Sequence, residues 1–502
     1  MRRMTRWMVA LFGLGLLVPS QRDAHAAGLY FAERGVRPLA RGGAFTAAAD
    51  DLHAVWYNPA GVYDAGQQFL VDASLLHYTT NYTRLARLKQ VDPNTGDVVS
   101  EHEQIFPTVE GSSSPIPIPT IVGSYRPHPD WIVALGVVAP YAAITSYPET
   151  VQGGPAPQRY SLITLDGSAL AILGGWAGYA VNEKWRIGAG LQVLLGKFQA
   201  TTTFSACLPD RFFCAPEQPQ WDSLAELSVG PIFTPSGNLG VLYEPHPQWR
   251  IGGSFQLPFF VRAGSTVRSR LPATPVFETA EQTGEDATVS FDLPWSARLG
   301  VQFAVLDEFR LEVDASVEGW SMHDAIRIEP ENISLRGVVG FPDNYPLPNQ
   351  EIVRGFQDSF SVRIGGEWDV DVSSVVLQPR MGVSFESSAI PNEYLSVMTV
   401  DVPKLTFGAG VGIYAGRWRF DAVYAHVFEA QIDVSTDEAR IPLQTPVAAN
   451  QPDPHYVNAG NYDAQAHVIG LGMAYSFDGP IHEARRLRAA GGEPENSAGG
   501  TE

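Results

Sequence analysis

The chain has 502 residues, and its 54 acidic against 34 basic side chains give a formal net charge of -20 at pH 7. This charge argues against a nucleic-acid partner, because affinity for a phosphate backbone comes mainly from Lys and Arg. Beyond the N-terminal region no run of about 18 apolar residues occurs, which excludes helical membrane spans. The mean hydropathy of -0.06 does not exclude membrane-spanning β-strands, since their alternating apolar and polar residues average out.

Residues 1–26 have the pattern of a secretory signal peptide. Three arginines lie within the first six residues, an apolar run covers 7–18, and Ala24-His25-Ala26 forms a small-x-small cleavage site. The apolar run is shorter than the about 20 residues that a membrane anchor needs. We therefore expect export and cleavage after Ala26.

The next segment, 27–66, is rich in small residues and contains Asn58-Pro59-Ala60-Gly61. Pro59 fixes φ and biases Asn58 toward an extended or turn conformation, and the Asn58 side chain can bond to nearby backbone. These four residues are predicted to form a turn.

From residue 67 onward the apolar residues follow a period of two, which predicts β-strands with one apolar face. Between 309 and 320, for example, Arg310 and Glu312 alternate with Leu311 and Val313. The pattern predicts fourteen strands, at 67–84, 117–128, 131–142, 167–181, 184–204, 224–244, 249–265, 288–306, 309–328, 360–370, 375–390, 404–416, 418–434 and 464–477.

The predicted connections alternate between very short turns and long loops, such as 182–183 against 205–223. A soluble β-sandwich has no reason to sort its loops by length, whereas an outer-membrane barrel has short periplasmic turns and long external loops. An even number of strands returns both termini to the periplasm. Residues 478–502 contain few large apolar residues, and they are predicted to be a disordered periplasmic tail.

Cys207 and Cys214 are the two cysteines of the chain, and they lie close together beyond the signal peptide. In an exported protein this spacing favours a local disulfide over redox chemistry. A zinc site would need more ligands.

No catalytic, metal or cofactor-binding constellation is recognised. The segment 190–197 superficially resembles a phosphate loop, but it has five residues between its glycines and lies inside a predicted strand. We expect no enzymatic activity.

Segment 27–66 resembles the N-terminal hatch of the FadL family, and later segments resemble the strands of that family in the same order. These are Asn182-Glu183-Lys184-Trp185, Leu239-Gly240-Val241-Leu242-Tyr243, Leu293-Pro294, Gly319-Trp320-Ser321 and Pro379-Arg380-Met381-Gly382-Val383. The resemblance implies an all-β fold: a monomeric, fourteen-stranded antiparallel transmembrane β-barrel over 67–477 with the hatch 27–66 inside it. It also implies outer-membrane transport of long-chain fatty acids or related hydrophobic compounds such as aromatic hydrocarbons, without a cofactor.

The family mechanism implies capture by external loops, a lumenal pocket beside the hatch, and lateral exit through a gap at the third strand. Candidate capture residues are Leu208, Phe212, Phe213 and Trp221, for which packing between loops is an equal alternative. Candidate exit residues are Pro117, Pro119, Gly136 and Pro140, because proline donates no ladder hydrogen bond. The alternative is that these prolines only end the strands.

Inward-facing arginines are predicted to line the lumen, and four of them are candidates for orienting a ligand carboxylate: Arg298, Arg310, Arg363 and Arg380. Pairing with lumenal acids, or holding the hatch, are the alternatives. The other expected partners are outer-membrane lipid, lipopolysaccharide and the barrel assembly machinery. Two competing functions stay open, a general polar-solute channel and a structural or adhesive barrel with a closed plug.

Overall fold

In the computed structural model, residues 33–92, 95, 98–113, 117–141, 145–206, 217–445 and 454–481 are described. They form a closed antiparallel β-barrel of fourteen strands around a small helical hatch. Within this part of the chain, no helix combines the length and apolar character needed to cross a membrane.

The barrel strands follow chain order, and several consist of two or three segments. They are β1 (Gln68–Val91), β2 (Val98–Ile105, Val109–Ser113 and Pro117–His128), β3 (Trp131–Tyr141 and Thr145–Ser146), β4 (Ala169–Ala180), β5 (Trp185–Ser205), β6 (Asp222–His246), β7 (Trp249–Gln256 and Phe259–Arg270), β8 (Asp286–Leu293 and Ser296–Ala304), β9 (Phe309–Glu318 and Ala325–Pro330), β10 (Gln350–Val353, Ser359–Trp368 and Val370–Val372), β11 (Val375–Glu386), β12 (Lys404–Ala415), β13 (Trp418–Glu429 and Ile432–Val434) and β14 (Gly460–Ser476).

Each strand pairs with its neighbours in the chain, and β1 pairs with β14 from Gln68↔Ser476 to Arg84↔Gly460, which closes the barrel. The predicted fourteen-stranded fold is therefore confirmed. Two segments of β2, Val98–Ile105 and Val109–Ser113, lie where the sequence predicted only a loop. All residues of Val98–Ile105 are exposed, so that segment has no buried face to produce an alternating pattern.

The alternation has the expected orientation on β14, where Ile469 and Leu471 are exposed on the outer face and Ala474 and Ser476 are buried. Four tryptophans begin strands after short turns, and each contacts an aromatic ring of a neighbouring strand at 4.3–4.7 Å between centroids. These pairs are Trp131–Tyr179, Trp185–Tyr243, Trp249–Phe303 and Trp418–Tyr475. They form an aromatic ring at one rim of the barrel, which we call the turn end; the opposite rim, with the long connections, is the loop end.

The hatch, residues 33–66, lies inside the barrel and contains three short helices, α1 (Val36–Ala40), α2 (Ala54–Tyr57) and α3 (Val62–Ala65), with a 3-10 helix at Pro59–Gly61. Most of its side chains are buried. The main hydrophobic core joins hatch residues such as Phe45, Val55 and Tyr57 to inward-facing residues of the wall.

Beyond β14 the chain turns back under the turn end. Gln67 N–H donates to the Asp478 carboxylate at 2.7 Å, and Ile481 is buried with its N–H bonded to the Gly416 carbonyl. The rest of the predicted disordered tail, 482–502, lies outside the described residues, as does the predicted signal peptide.

Candidate functional site

The Asn58-Pro59-Ala60-Gly61 turn lies on the inner face of β5 and β6. Asn58 Oδ1 accepts from the Ala60 N–H at 3.2 Å and caps the 3-10 helix, while Nδ2 donates at 3.0 Å to the carbonyls of Thr46 and Val241. One buried side chain thus joins two parts of the hatch to β6. The role of this turn in plugging stays a prediction.

Wall glycines permit the hatch backbone to approach closely. A Cβ added at Gly382 of β11 would lie 2.1 Å from the Arg41 carbonyl, and one at Gly240 of β6 would lie 2.1 Å from Asn58 Oδ1. Real Cβ contacts are never that short, so any larger residue at either position would displace the hatch.

Two hatch arginines bind acids of β9 and β10. Arg37 contacts Asp50 at 2.5 Å and Asp51 at 2.9 Å within the hatch, and Glu367 of β10 at 3.1 Å. Arg41 contacts Glu367 at 3.2 Å and Glu312 of β9 at 3.1 Å. All of these side chains except Asp50 are almost completely buried.

The carboxylates of β9 also bind hatch backbone. Glu312 accepts from the N–H groups of Ala47 and Ala48 at 2.7 and 3.0 Å, and Asp314 accepts from the Thr46 N–H at 3.1 Å. Bonds from N–H groups to a carboxylate are charge-assisted and therefore strong. β9 consequently fixes the loop after α1 through the backbone N–H groups of that loop as well as through Arg41.

A second set of ion pairs has the opposite polarity, with wall arginines binding hatch acids. Their N–O distances are 2.7–2.8 Å, and the pairs are Arg363–Glu33, Arg419–Asp51, Arg186–Asp64 and Arg250–Asp64. Since β5, β7, β10 and β13 contribute these arginines, the hatch is bound around most of the barrel. The acids are at most 2% exposed and the arginines at most 14%, so removal of one partner would leave a charge with little access to water.

His53 bridges the hatch to β1. Its Nδ1 lies 2.8 Å from Asp51 and its Nε2 lies 2.5 Å from Asp72, which also accepts the Val36 N–H. Burial disfavours the imidazolium, but the two carboxylates outweigh that effect and raise the pKa of His53 to about 9. His53 therefore carries a positive charge at neutral pH.

The four candidate lumenal arginines all have protein partners. Arg298 donates to the Trp56 carbonyl of the hatch at 3.1 Å, and Arg363 binds Glu33. Arg310 binds Glu367 and Asp369, and Arg380 binds Asp421 at 2.6 Å. These contacts correspond to the hatch-holding and paired-lining alternatives; ligand orientation by any of the four stays untested.

The sequence did not identify an apolar patch on the inner wall. It joins Val36, Leu39 and Ala40 of α1 to inward-facing residues of β1, β2, β13 and β14, with Tyr78 and Ala139 at its edge. The wall members are Leu76, Ile118, Val423, Ala425, Val427, Ala466 and Val468. A signal was present in the strands, because these apolar residues interrupt the expected polar inner face.

The hydrogen-bonded ladder between β2 and β3 is interrupted beside this patch. Paired residues run from His128↔Trp131 to Thr120↔Val138 and resume at Ser113↔Thr145, with 114–116 and 142–144 outside the described residues. Up to Val138, β3 pairs with both β2 and β4. After Val138 the pairing with β2 stops, whereas the pairing with β4 continues across a bulge to Tyr141↔Leu170.

The candidate exit residues occupy both sides of this interruption. Pro117 and Pro119 alternate with inward-facing Ile118, and Pro140 lies in the bulged part of β3. Gly136 lies instead among the last residues of β3 that pair with β2 before the interruption. A Cβ added at Gly136 would be 2.4 Å from the Ile121 carbonyl oxygen. The observed register would place Pro117 opposite Tyr141, one residue from the Pro117–Pro140 pairing that the turn suggested. The exit role stays a prediction.

Of the candidate capture residues, Trp221 is buried between loops and packs against Phe277 at 6.4 Å between ring centroids. Its cluster includes Ala206, Leu335 and Val338, so Trp221 takes part in inter-loop packing. Leu208, Phe212, Phe213 and the predicted Cys207–Cys214 disulfide lie outside the described residues. Among the described residues, no group of three or more His, Cys, Asp and Glu side chains could hold a metal ion.

The chain matches the sequence profile of the outer membrane protein transport protein family (OMPP1/FadL/TodX) over residues 17–477. A putative outer membrane protein of Neisseria meningitidis serogroup B is 22% identical over 485 residues, covering 91% of this chain and 96% of that protein. Two solved structures share the fold. A Pseudomonas aeruginosa FadL homologue has a TM-score of 0.66 at 13% identity, covering 90% of this chain and 100% of its own. The Ralstonia pickettii toluene transporter TbuX has a TM-score of 0.53 at 15% identity, covering 88% and 99%.

The family profile spans the barrel and the hatch, and the solved structures share the fold of this chain over about nine tenths of its length. The chain therefore belongs to the outer membrane protein transport protein family of FadL- and TodX-like outer-membrane β-barrels, which transport hydrophobic compounds.

Proposed function

We propose that this protein transports long-chain fatty acids or aromatic hydrocarbons passively across the outer membrane, with lateral exit between β2 and β3. The observation that carries the proposal is the apolar inner patch beside the interrupted ladder. Each methylene transferred from water to an apolar site gains about 0.8 kcal/mol. A hydrophobic solute therefore gains free energy in this patch, and the interruption gives it a path to the membrane that avoids water.

The turn end faces the periplasm and the loop end faces the outside, with both termini periplasmic. The short turns, the aromatic ring and the long loops support this orientation. The protein acts as a monomer, without ATP, metal or enzymatic turnover, and is inserted by the barrel assembly machinery. The partly exposed apolar residues at the edge of the inter-loop cluster around Trp221, namely Leu271, Phe341 and Leu347, offer a first contact for substrate.

The four lumenal arginines bind protein groups rather than the ligand. Arg298 and Arg363 already bind hatch groups, and Arg310 and Arg380 bind lumenal carboxylates. A substrate carboxylate would have to displace one of these partners. The apolar patch, by contrast, needs no charged group in the substrate, so selection by hydrophobicity is the simpler mechanism.

Uptake of labelled palmitate and toluene by a bacterial host lacking its own transporter of this family tests the proposal. Wild type should increase uptake of at least one of them, Ile118→Gln should lower it, and Ile118→Val should preserve it. A high ionic conductance in planar bilayers with no hydrophobic uptake would instead indicate a polar-solute channel. Absence of both activities in a correctly folded protein would indicate a structural barrel.

A further inference from the structure

The connection between β11 and β12, residues 387–403, folds into the loop end of the lumen, and we call it the inner loop. Its apolar side chains are largely buried, with Ala389 and Leu395 fully so. Tyrosine hydroxyls of the barrel donate to its backbone carbonyls at 3.1–3.2 Å, and the pairs are Tyr462–Leu395, Tyr147–Val397 and Tyr78–Val400. The inner loop therefore forms part of the lumen lining.

Arg354 contacts the inner loop from β10, where it lies between the segments Gln350–Val353 and Ser359–Trp368. Its side chain is buried, Nη2 donates to Thr399 Oγ1 at 2.6 Å, and the guanidinium carbon lies 4.8 Å from the centre of the Phe356 ring. Nε has no hydrogen-bond partner, and no carboxylate of the described residues forms an ion pair with Arg354. A buried guanidinium without a paired acid is costly.

This lack of an acid distinguishes Arg354 from most other buried arginines of the lumen. Those that bind a carboxylate include Arg37, Arg41, Arg84, Arg159, Arg363, Arg380 and Arg419. Arg298 forms no such pair, but it donates to a backbone carbonyl of the hatch. At Arg354 the acceptor is only a threonine hydroxyl, which a ligand can replace without displacing an acid or the hatch.

The acid that acts on Arg354 from a longer range is Asp401 of the inner loop. Its carboxylate lies beyond ion-pair distance of Arg354 and has other partners. It accepts from the Ala389 N–H at 2.9 Å and lies 3.5 Å from the Lys404 ammonium, which also binds Glu386 at 2.8 Å. Arg354 therefore remains available to an anion from outside the protein.

Aromatic rings surround the guanidinium. Trp320, His323 and Phe356 pack together with ring centroids 4.9–6.1 Å apart. His323 is buried and donates from Nδ1 to the Asp292 carbonyl at 2.7 Å, while its Nε2 has no partner among the described residues. Because unpaired buried polar atoms cost free energy, a ligand with a polar head group fits this pocket better than a pure hydrocarbon.

Arg354 and the apolar inner patch contact neighbouring residues of the inner loop. Arg354 binds Thr399, whereas Tyr78, at the edge of the patch, donates to the carbonyl of Val400. Adjacent Cα atoms are only about 3.8 Å apart. One long-chain molecule can therefore place its head group at Arg354 and its hydrocarbon chain on the patch.

We propose that Arg354 binds the carboxylate of a long-chain acyl substrate whose chain lies on the apolar inner patch, so that fatty acids are preferred over aromatic hydrocarbons. The carboxylate replaces the Thr399 hydroxyl as acceptor, because charge-assisted hydrogen bonds are about twice as strong as neutral ones. This inference rests on the proposed transport along the patch and adds a head-group preference to selection by hydrophobicity.

Equilibrium binding of labelled palmitate and hexadecanol to the purified barrel in amphipol tests the inference, since the two probes share a chain length and differ in charge. Arg354→Met should weaken palmitate binding at least about tenfold, equivalent to about 1.4 kcal/mol, and leave hexadecanol binding unchanged. Arg354→Lys should keep part of the palmitate affinity. The matched control is Arg440→Met, because Arg440 also lies over an aromatic ring, 6.0 Å from Tyr456, but is exposed. It should bind both probes like wild type.

Equal affinity of wild type for palmitate and hexadecanol would overturn the head-group role of Arg354. An equal loss of both probes in folded Arg354→Met, or no loss of either, would assign it a structural role instead. Cellular uptake separates this inference from the proposed function. Uptake of toluene without palmitate would overturn the carboxylate site and leave transport intact, whereas a folded barrel that takes up neither compound would overturn both.

Discussion

Against β9 and β10 the hatch is held by buried ion pairs, whereas against β1, β2 and β14 it is packed through apolar side chains, apart from the His53–Asp72 pair on β1. Arg37 and Arg41 represent the first region, with Glu367 within 3.2 Å of both. Val36 and Leu39, on the same short helix, represent the second. Helix α1 therefore presents charged and apolar side chains to different parts of one barrel wall.

The two regions differ in what a hydrophobic solute can replace. Breaking a buried ion pair leaves an uncompensated charge, at a cost of about 3–5 kcal/mol. Apolar contacts can be exchanged for contacts with a hydrocarbon at little cost, because both remove similar surface from water. The difference indicates that substrate competes with the hatch on the apolar side, where the β2–β3 ladder is also interrupted, while the ionic side keeps the plug in place.

The largest effect is expected for Arg37→Met, which keeps volume but removes the charge facing Asp50, Asp51 and Glu367. The plugged state should lose about 3–5 kcal/mol, because carboxylates of the hatch and of the wall are left without this buried partner. Planar-bilayer conductance should rise and the hatch should become sensitive to protease.

The matched control is Arg262→Met, whose ion pair with Glu329 is exposed on the outer wall and should contribute about 0–1 kcal/mol. If Arg37→Met conducts no more than this control, the ionic side does not hold the hatch.

A smaller effect is expected for Asn58→Ala, which leaves the carbonyls of Thr46 and Val241 without this donor. Each buried polar group left unsatisfied costs about 1–3 kcal/mol. Uptake of small polar dyes should increase relative to an exposed control, Asn392→Ala. Unchanged dye and hydrocarbon uptake would show that the turn does not secure the plug.

On the apolar side, Pro117→Val combined with Pro140→Val restores two ladder donors at the interruption. Fuller pairing of β2 with β3 should narrow the opening and reduce uptake of hydrophobic substrate several-fold, while heat-modifiable gel mobility shows intact folding. The register shift of one residue makes Pro119→Val a useful third substitution. Normal uptake by the folded variant would indicate that these prolines only end the strands and have no role in lateral exit.

The strands were predictable because one face of each strand meets lipid and the other meets the lumen, so the residue types alternate with a period of two. On β14, for example, Ile469 and Leu471 are exposed on the outer face, whereas Ala474 is buried on the inner face. Val98–Ile105 was missed since both of its faces are exposed. Alternation also identified the inward arginines, but their partners are distant in the chain: Glu33 and Arg363, for example, meet only when the barrel closes around the hatch. The apolar patch was missed for the same reason, because four strands and α1 each contribute only a few residues.

The smallest effect at neutral pH is expected from titration of His53, which joins the ionic side of the hatch to β1. Its pKa is raised from about 6.5 to about 9, so its stabilisation is complete below about pH 6.5 and is lost as pH rises through about 9. In the hatch, against the effect of burial, neighbouring positive groups hold the pKa of Asp51 well below its usual value and neighbouring carboxylates raise the pKa of Arg37, so both keep their charges in this window. Wild-type leak conductance should therefore increase gradually between these pH values and then level off. His53→Gln retains hydrogen bonding without the charge, and its conductance should be higher at pH 6 and nearly independent of pH. The same pH slope in wild type and His53→Gln would assign the titration to another group.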